Sequence, residues 1–190
     1  VWFEKTNMMD RVIVVSNHAK QVFESSAYDA VNKTTGEKAL LKLETPMEVV
    51  SYPVRNYDAD EQFDIDLEHD FNYLLMAQWS ERKNIENTIK WFVEENIDQE
   101  VGLVIKTNSQ ANCKIDKEFT LEKRLQPLLK QYEDRKCKVY LLHGDLSEQQ
   151  LTSLYTHPKI KCMVSLTHGE GFGLPLFEAA YNGLPIIAPG

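Results

Sequence analysis

The residues best suited to chemistry lie in one stretch, His168-Gly169-Glu170-Gly171-Phe172-Gly173-Leu174-Pro175-Leu176-Phe177-Glu178. Three glycines in five positions let a backbone come close to a ligand, and Pro175 suits the first turn of a helix. A helix that begins there offers unpaired N–H groups and the positive end of its dipole, a seat for a phosphate or for the polar face of a sugar. The spacing is not a dinucleotide fingerprint. After Gly169-x-Gly171 the third glycine would fall at position 174, which is Leu, and no P-loop lysine follows. Glu170 sits in the glycine run and Glu178 in what reads as the first turn of the helix, so both carboxylates can face one cleft and accept hydrogen bonds from sugar hydroxyls. For Glu178 a second reading stays open, a carboxylate that complements the helix dipole.

Arg82-Lys83-Asn84 is a second constellation. Asn84 is a good cap for a helix that begins at Ile85, but two cations beside a helix N-terminus oppose its dipole. Either an anion bridges them to the helix, or they are a solvated basic pair. Ser147, with Gln150 three residues on, reads as a capping box after Gly144-Asp145. His143 and His168 each follow a strand, where a general base, a sugar contact or a hydrogen-bonded structural histidine are competing readings. Among the aromatic residues, Trp91 and Phe92 read as core and Trp79 as a lining of the cleft.

The elements that must hold these residues alternate between short apolar runs and segments of helical period, the pattern of an α/β protein with a parallel sheet. Arg11 to Ser16 reads as a strand, followed by a helix from His18 to Ser25 capped by Ser16 or Asn17. Lys33-Thr34-Thr35-Gly36 reads as a turn, and Met47 to Tyr52 as another strand, with a domain boundary near it. Seven of the fourteen residues from Tyr57 to Asp70 are acidic, which reads as a solvated loop rather than a calcium site. Strands are then expected at Phe71 to Gln78, Val101 to Thr107, Lys138 to Leu142, Ile160 to Leu166 and Pro185 to Ala188. Between them lie helices at Ile85 to Asn96, Leu121 to Glu133, Glu148 to His157 and Leu174 to Asn182. Strands this apolar are covered by helices on both faces, and ligands of such sheets bind beyond the carboxyl ends of the strands.

Composition excludes several classes. Of 190 residues 43% are hydrophobic and 26% charged, a globular rather than a disordered balance. A formal net charge of -8 argues against nucleic acid as the main partner. Three widely spaced cysteines, with no Cys-x-x-Cys, point to a reduced compartment and to neither a disulfide framework nor a zinc site. No apolar run is long enough to cross a bilayer, and the expected location is the cytoplasm, where a peripheral position at a membrane needs no such segment. The chain opens on Val1 and stops on Gly190 directly after an apolar run, which reads as a fragment cut at both ends.

Glu170, seven residues, Glu178 within HGEGFGLPLFEAAYNGLPIIAPG resembles the signature of the retaining nucleotide-sugar glycosyltransferases of family 4, which have the two-Rossmann GT-B architecture. Arg82-Lys83-Asn84, Gly144 and Ser16-Asn17-His18-Ala19-Lys20 agree with that family in order and spacing. The resemblance implies that residues 1–46 are the tail of an acceptor-side domain and that 47–190 are most of a donor-binding Rossmann-like domain. It implies that Lys83, beside Arg82, binds the donor diphosphate, that Glu178 holds the ribose and that Glu170 lies by the sugar. Backbone N–H groups of Gly171, Phe172, Gly173 and Leu174 would hold sugar and phosphate oxygens, and Gly144 to Leu146 would border the base. The implied reaction moves a hexose from a nucleoside diphosphate sugar to a saccharide, lipid-linked or protein acceptor, with no metal or other cofactor. The Gly-Arg pair common in the family is Ala77-Gln78 here, a departure that removes one diphosphate contact, and His168-Gly169 replaces a bulkier pair. An epimerase of nucleotide sugars and a non-catalytic nucleotide-binding module are the rival readings.

Overall fold

A computed structural model describes residues 2–31 and 34–189. Val1, Gly190 and the Lys33 of the expected turn lie outside the described residues. The chain forms two compact units, Val1–Val54 and Arg55–Gly190.

The first unit holds α1 (Trp2–Thr6), β1 (Val12–Val14), α2 (Asn17–Ser25), β2 (Ala27–Val31), β3 (Lys38–Lys42) and β4 (Met47–Val49). Ser16, rather than Asn17, caps α2, its Oγ accepting the Ala19 N–H at 3.1 Å. Around the expected turn, β2 and β3 form an antiparallel hairpin, a pairing not expected from the sequence. Strand β4 pairs in parallel with β1, Ile13 opposite Glu48. Its backbone hydrogen bonds therefore bind it to the first unit, so the compact units divide after Val54 and not at the expected 46/47 boundary.

The second unit is built on a five-stranded parallel sheet of order β7-β6-β5-β8-β9, with β5 (Asn72–Met76), β6 (Gly102–Lys106), β7 (Lys138–Leu142), β8 (Ile160–Val164) and β9 (Ile186–Ile187). Alternate residues of the central strands point to opposite faces. Leu75, Leu103 and Ile105 join one core with Ile89, Phe92 and Val93 of α3 (Ile85–Glu95). Leu74 and Val104 join another with Leu154 of α6 (Glu148–Tyr155) and Ala179 of α7 (Leu174–Tyr181). Phe92 is core as expected, whereas Trp91 is 48% exposed, one position round the same helix. The capping box of Ser147 and Gln150 opens α6.

The helix expected from Leu121 starts earlier, as α4 (Lys114–Phe119), and continues through a π-helical turn at Thr120–Leu125 into α5 (Gln126–Leu129) and a 3-10 turn at Lys130–Tyr132. Cys113 at its N-cap makes no side-chain cap, which is why no start signal is legible. The acidic segment 57–70 is irregular but not simply solvated. Phe63, Ile65 and Leu67 turn inward between the carboxylates of Asp64, Asp66 and Glu68, and Leu67 is buried. Lys159 Nζ donates to the Leu67 carbonyl at 2.8 Å and Ser153 Oγ to that of Asp60 at 3.0 Å, pinning the strap along the domain.

Two polar devices hold the sheet and the loop above it. At its amino edge, Asn72 donates through Nδ2 to the carbonyls of His69 (2.7 Å) and Lys159 (3.0 Å). A Cβ on Gly102 would stand 2.0 Å from Asn72 Oδ1 and 2.9 Å from the Tyr140 ring. At its carboxyl edge, buried Asp116 accepts from the N–H groups of Ser109 (2.8 Å) and Gln110 (3.0 Å) and from His143 Nε2 (2.9 Å). Burial pushes the Asp116 carboxyl up, but the bonds from His143, Ser109 and Gln110 outweigh it and hold the group below the usual carboxylate value.

Gly102→Ala is expected to lower unfolding free energy by about 1–3 kcal/mol, because Asn72 must leave its two carbonyls, and by clearly less in an Asn72→Ala background. Equal costs in both backgrounds, measured by denaturant unfolding, would refute the steric account. A carboxyl whose folded pKa is depressed contributes stability above its unfolded value, near 4, and that contribution is lost as pH falls through the folded pKa. Asp116→Asn should therefore cost about 1–3 kcal/mol at pH 7 and flatten the loss of stability below pH 4; an unchanged acid limb would contradict it.

Candidate functional site at the β5/β8 crevice

The chain winds outward from β5 through β6 to β7, then returns to lay β8 on the other side of β5. The connections after β5 and β8 therefore leave the sheet in opposite directions, and the crevice between them is where an open α/β sheet takes its ligand. Arg82 and Lys83 occupy the first connection, in a 3-10 turn at Glu81–Lys83, and the glycine-rich loop occupies the second.

These loops are joined. The Arg82 carbonyl accepts from the His168 N–H and from Thr167 Oγ1, both at 3.0 Å, and the Arg82 guanidinium donates to the Gly169 carbonyl. Lys83 Nζ meets Glu170 Oε1 at 2.5 Å, and Arg82 lies 3.8 Å from Glu170 Oε2. The Lys83 and Glu170 side chains are 15% and 23% exposed, so this ion pair is shielded from solvent more than an ordinary surface pair. The anion that balances the two cations in this structure is thus Glu170 itself.

Asn84 does not act as expected. It occupies the N-cap position of α3, but in the left-handed conformation (φ 53°, ψ 33°), and its side chain makes no cap. Asparagine tolerates that conformation, which turns Nδ2 onto the Leu166 carbonyl at 2.9 Å, and Asn84 becomes another clasp between the loops.

Helix α7 starts after Gly173, whose φ of 81° suits only glycine without strain. Its first N–H groups have no acceptor within the helix and face outward at its positive end. Phe172 and Phe177 meet edge to face at 5.3 Å, fixing the loop to the helix. Glu178 lies in the second turn of α7, not the first, because the helix begins at Leu174. The dipole reading of Glu178 is thereby removed, since that effect fades within one turn. Instead its Oε2 accepts from buried Tyr155 at 2.9 Å. Burial, reinforced by the Glu178 charge, raises the Tyr155 phenol far above its ordinary value, so it stays a donor.

A cavity of about 340 Å³ opens at the carboxyl ends of β5 to β7, lined by Lys83, Leu146, Pro175, Gln78, Lys106 and Asp145 among others. Of the expected residues, Lys83 and Leu146 line it. Gly144, at φ 103°, turns the chain at its rim. His143 does not reach it: its side chain is 2% exposed and bound to Asp116. His168 is exposed and, with Trp79, lines a separate polar cavity of about 260 Å³ beside α3. Trp79 itself is buried in the core, its Nε1 donating to Glu86 at 3.3 Å. Lys106, which the sequence does not single out, also lines the cavity; its signal is a cation ending the apolar run Leu103-Val104-Ile105. Among the described residues no group of three His, Cys, Asp or Glu side chains could hold a metal ion, and no helix is long and apolar enough to cross a membrane.

Residues 58–189 match the family described as "Glycosyl transferases group 1". None of the curated proteins is significantly similar in sequence. Among solved structures, TarM superimposes with a TM-score of 0.57 at 18% identity, over 98% of this chain and 31% of that one. Trehalose-6-phosphate synthase OtsA does so with a TM-score of 0.60 at 9% identity, over 98% and 46%. The α,α-trehalose-phosphate synthase (UDP-forming) from Burkholderia xenovorans, in complex with glucose-6-phosphate, gives 0.54 at 11%, over 98% and 47%. At such identities the likeness is one of fold, and the chain spans less than half the length of each. The crevice, the glycine-rich helix start and the family match together place this chain among the group 1 glycosyltransferases of family 4, its second unit a Rossmann-like domain of GT-B type.

Proposed function

We propose that the second unit binds a nucleoside diphosphate sugar and supplies the donor side of a retaining hexosyltransferase. The observation that carries this reading is the placement of Lys83 and the start of α7 beside one cavity at the carboxyl edge of the sheet. In this reading the donor diphosphate takes the place of Glu170 as the partner of Lys83, and Glu170 is released toward the sugar. The anomeric C–O bond to the β-phosphate breaks, the acceptor oxygen bonds to the same face of the anomeric carbon, and the acceptor hydroxyl loses its proton. Negative charge grows on the leaving diphosphate as the bond breaks. Lys83, Arg82 and the N–H groups from Gly171 to Leu174 are preorganised donors that stabilise this charge more in the transition state than in the ground state. Glu178, held by Tyr155, accepts from the ribose hydroxyls, and the Gly144 to Leu146 loop borders the base. The acceptor and any base that takes its proton belong to the acceptor-side domain, so residues 1–190 alone are expected to bind donor without transferring sugar.

Calorimetric titration with nucleoside diphosphates tests the site. Lys83→Ala and Glu178→Ala should each weaken binding about tenfold or more. Glu170→Gln should not weaken it, because that substitution removes the carboxylate that competes for Lys83. Weakening by Glu170→Gln equal to that of Lys83→Ala, or sugar transfer catalysed by residues 1–190 alone, would contradict the assignment.

A further inference from the structure

The cavity contains a cation that neither the basic pair nor the glycine-rich loop accounts for. Lys106 ends β6, its Cα level with Met76 of β5, and is half-buried. Its Nζ reaches sideways to the connection after β7 and donates to the Gly144 carbonyl at 2.6 Å. Burial lowers the pKa of the ammonium, while the Asp145 charge opposes that shift. An ammonium has three donors and no acceptor, so two N–H groups remain for the cavity that Lys106 lines together with Lys83, Asp145 and Leu146.

The direction of this side chain says which part of a nucleotide it meets. Lys83 and the start of α7 belong to the β5/β8 crevice, whereas Gly144 follows β7, two strands from β5. Two strand spacings are about 10 Å, a distance that a ribose and base fill once the diphosphate is at the crevice. Lys106 therefore stands at the nucleoside end. The bond to Gly144, whose conformation fixes its carbonyl, holds the ammonium in place for it.

We infer that Lys106 selects the base of the donor, donating to the exocyclic carbonyl oxygen of a keto base, uracil or guanine. The inference rests on the nucleotide-binding reading above. Adenine carries an amino group at the corresponding edge, and a donor facing a donor leaves both unpaired in a partly desolvated pocket. A site built around one polar partner rejects the analogue that lacks it far more strongly than a hydrophobic pocket rejects a change of size.

The test is titration of the chain with UDP, GDP, ADP and inorganic pyrophosphate, for the wild type, Lys106→Met and Lys106→Gln, with thermal unfolding to verify that each variant folds. UDP or GDP should bind the wild type about tenfold or more tighter than ADP. In a folded Lys106 variant the three nucleotides should converge while pyrophosphate affinity stays unchanged. A keto preference that survives in the variants, or a wild type that prefers ADP, overturns the inference. So does a loss of pyrophosphate affinity as large as the loss for nucleotides, which would make Lys106 a phosphate ligand. Failure of any nucleotide to bind the wild type overturns the nucleotide reading itself, and this inference with it.

Discussion

The parallel pairing of β5 with β8 is the constraint on which the rest of the site depends. It joins strands far apart in sequence, and it forces the connections after them to leave the sheet toward opposite sides. The crevice that results is crossed by a short set of polar bonds: the Arg82 carbonyl, the Asn84 amide and the Lys83–Glu170 pair. Each ties a residue of one loop to a residue of the other. The loops are thereby set relative to each other by one backbone hydrogen bond and by side-chain bonds to backbone carbonyls, which hold position better than two independent flexible loops would.

The same constraint decides how the charges of the crevice are balanced. Two cations next to the start of α3 are unfavourable unless an anion is close, and Glu170 supplies it from the neighbouring loop. In the proposed function a diphosphate brings more charge to the same place, so the pair is exchanged rather than lost. Farther from the crevice the carboxyl edge is stiffened differently. Asp116 gathers two backbone N–H groups and His143, and Tyr155 fixes Glu178 from beneath. These buried partners orient the rim without themselves facing the cavity.

Much of this was legible in the residues. The apolar runs placed all five strands of the second unit, because a strand covered on both faces is apolar nearly throughout. The glycine run and Pro175 placed the start of α7, and Ser147 with Gln150 placed that of α6, since these act within one turn of chain. Where structure and expectation differ, the cause is a partner that the local residue pattern does not show. Asn84 looked like a cap because its type suits one, yet the Leu166 carbonyl took its amide. Lys114–Phe119 carried no start signal because its anchoring carboxylate, Asp116, binds backward to Ser109 and Gln110. Met47–Val49 joins the first unit because strand pairing, not composition, decides which unit a strand joins.

By itself the sequence determined the α/β class, the five strands of the second unit, the glycine-rich start of α7 and the resemblance to family 4. All of these depend on residue type and local spacing. Tertiary structure alone decided that Lys83 meets Glu170, that His143 is spent on Asp116, that Glu178 leans on Tyr155 and that Lys106 opens into the cavity. The physical reason is the sheet: its strand order brings together side chains from connections that share no local signal, and only that proximity sets which charges pair and which remain available to a ligand.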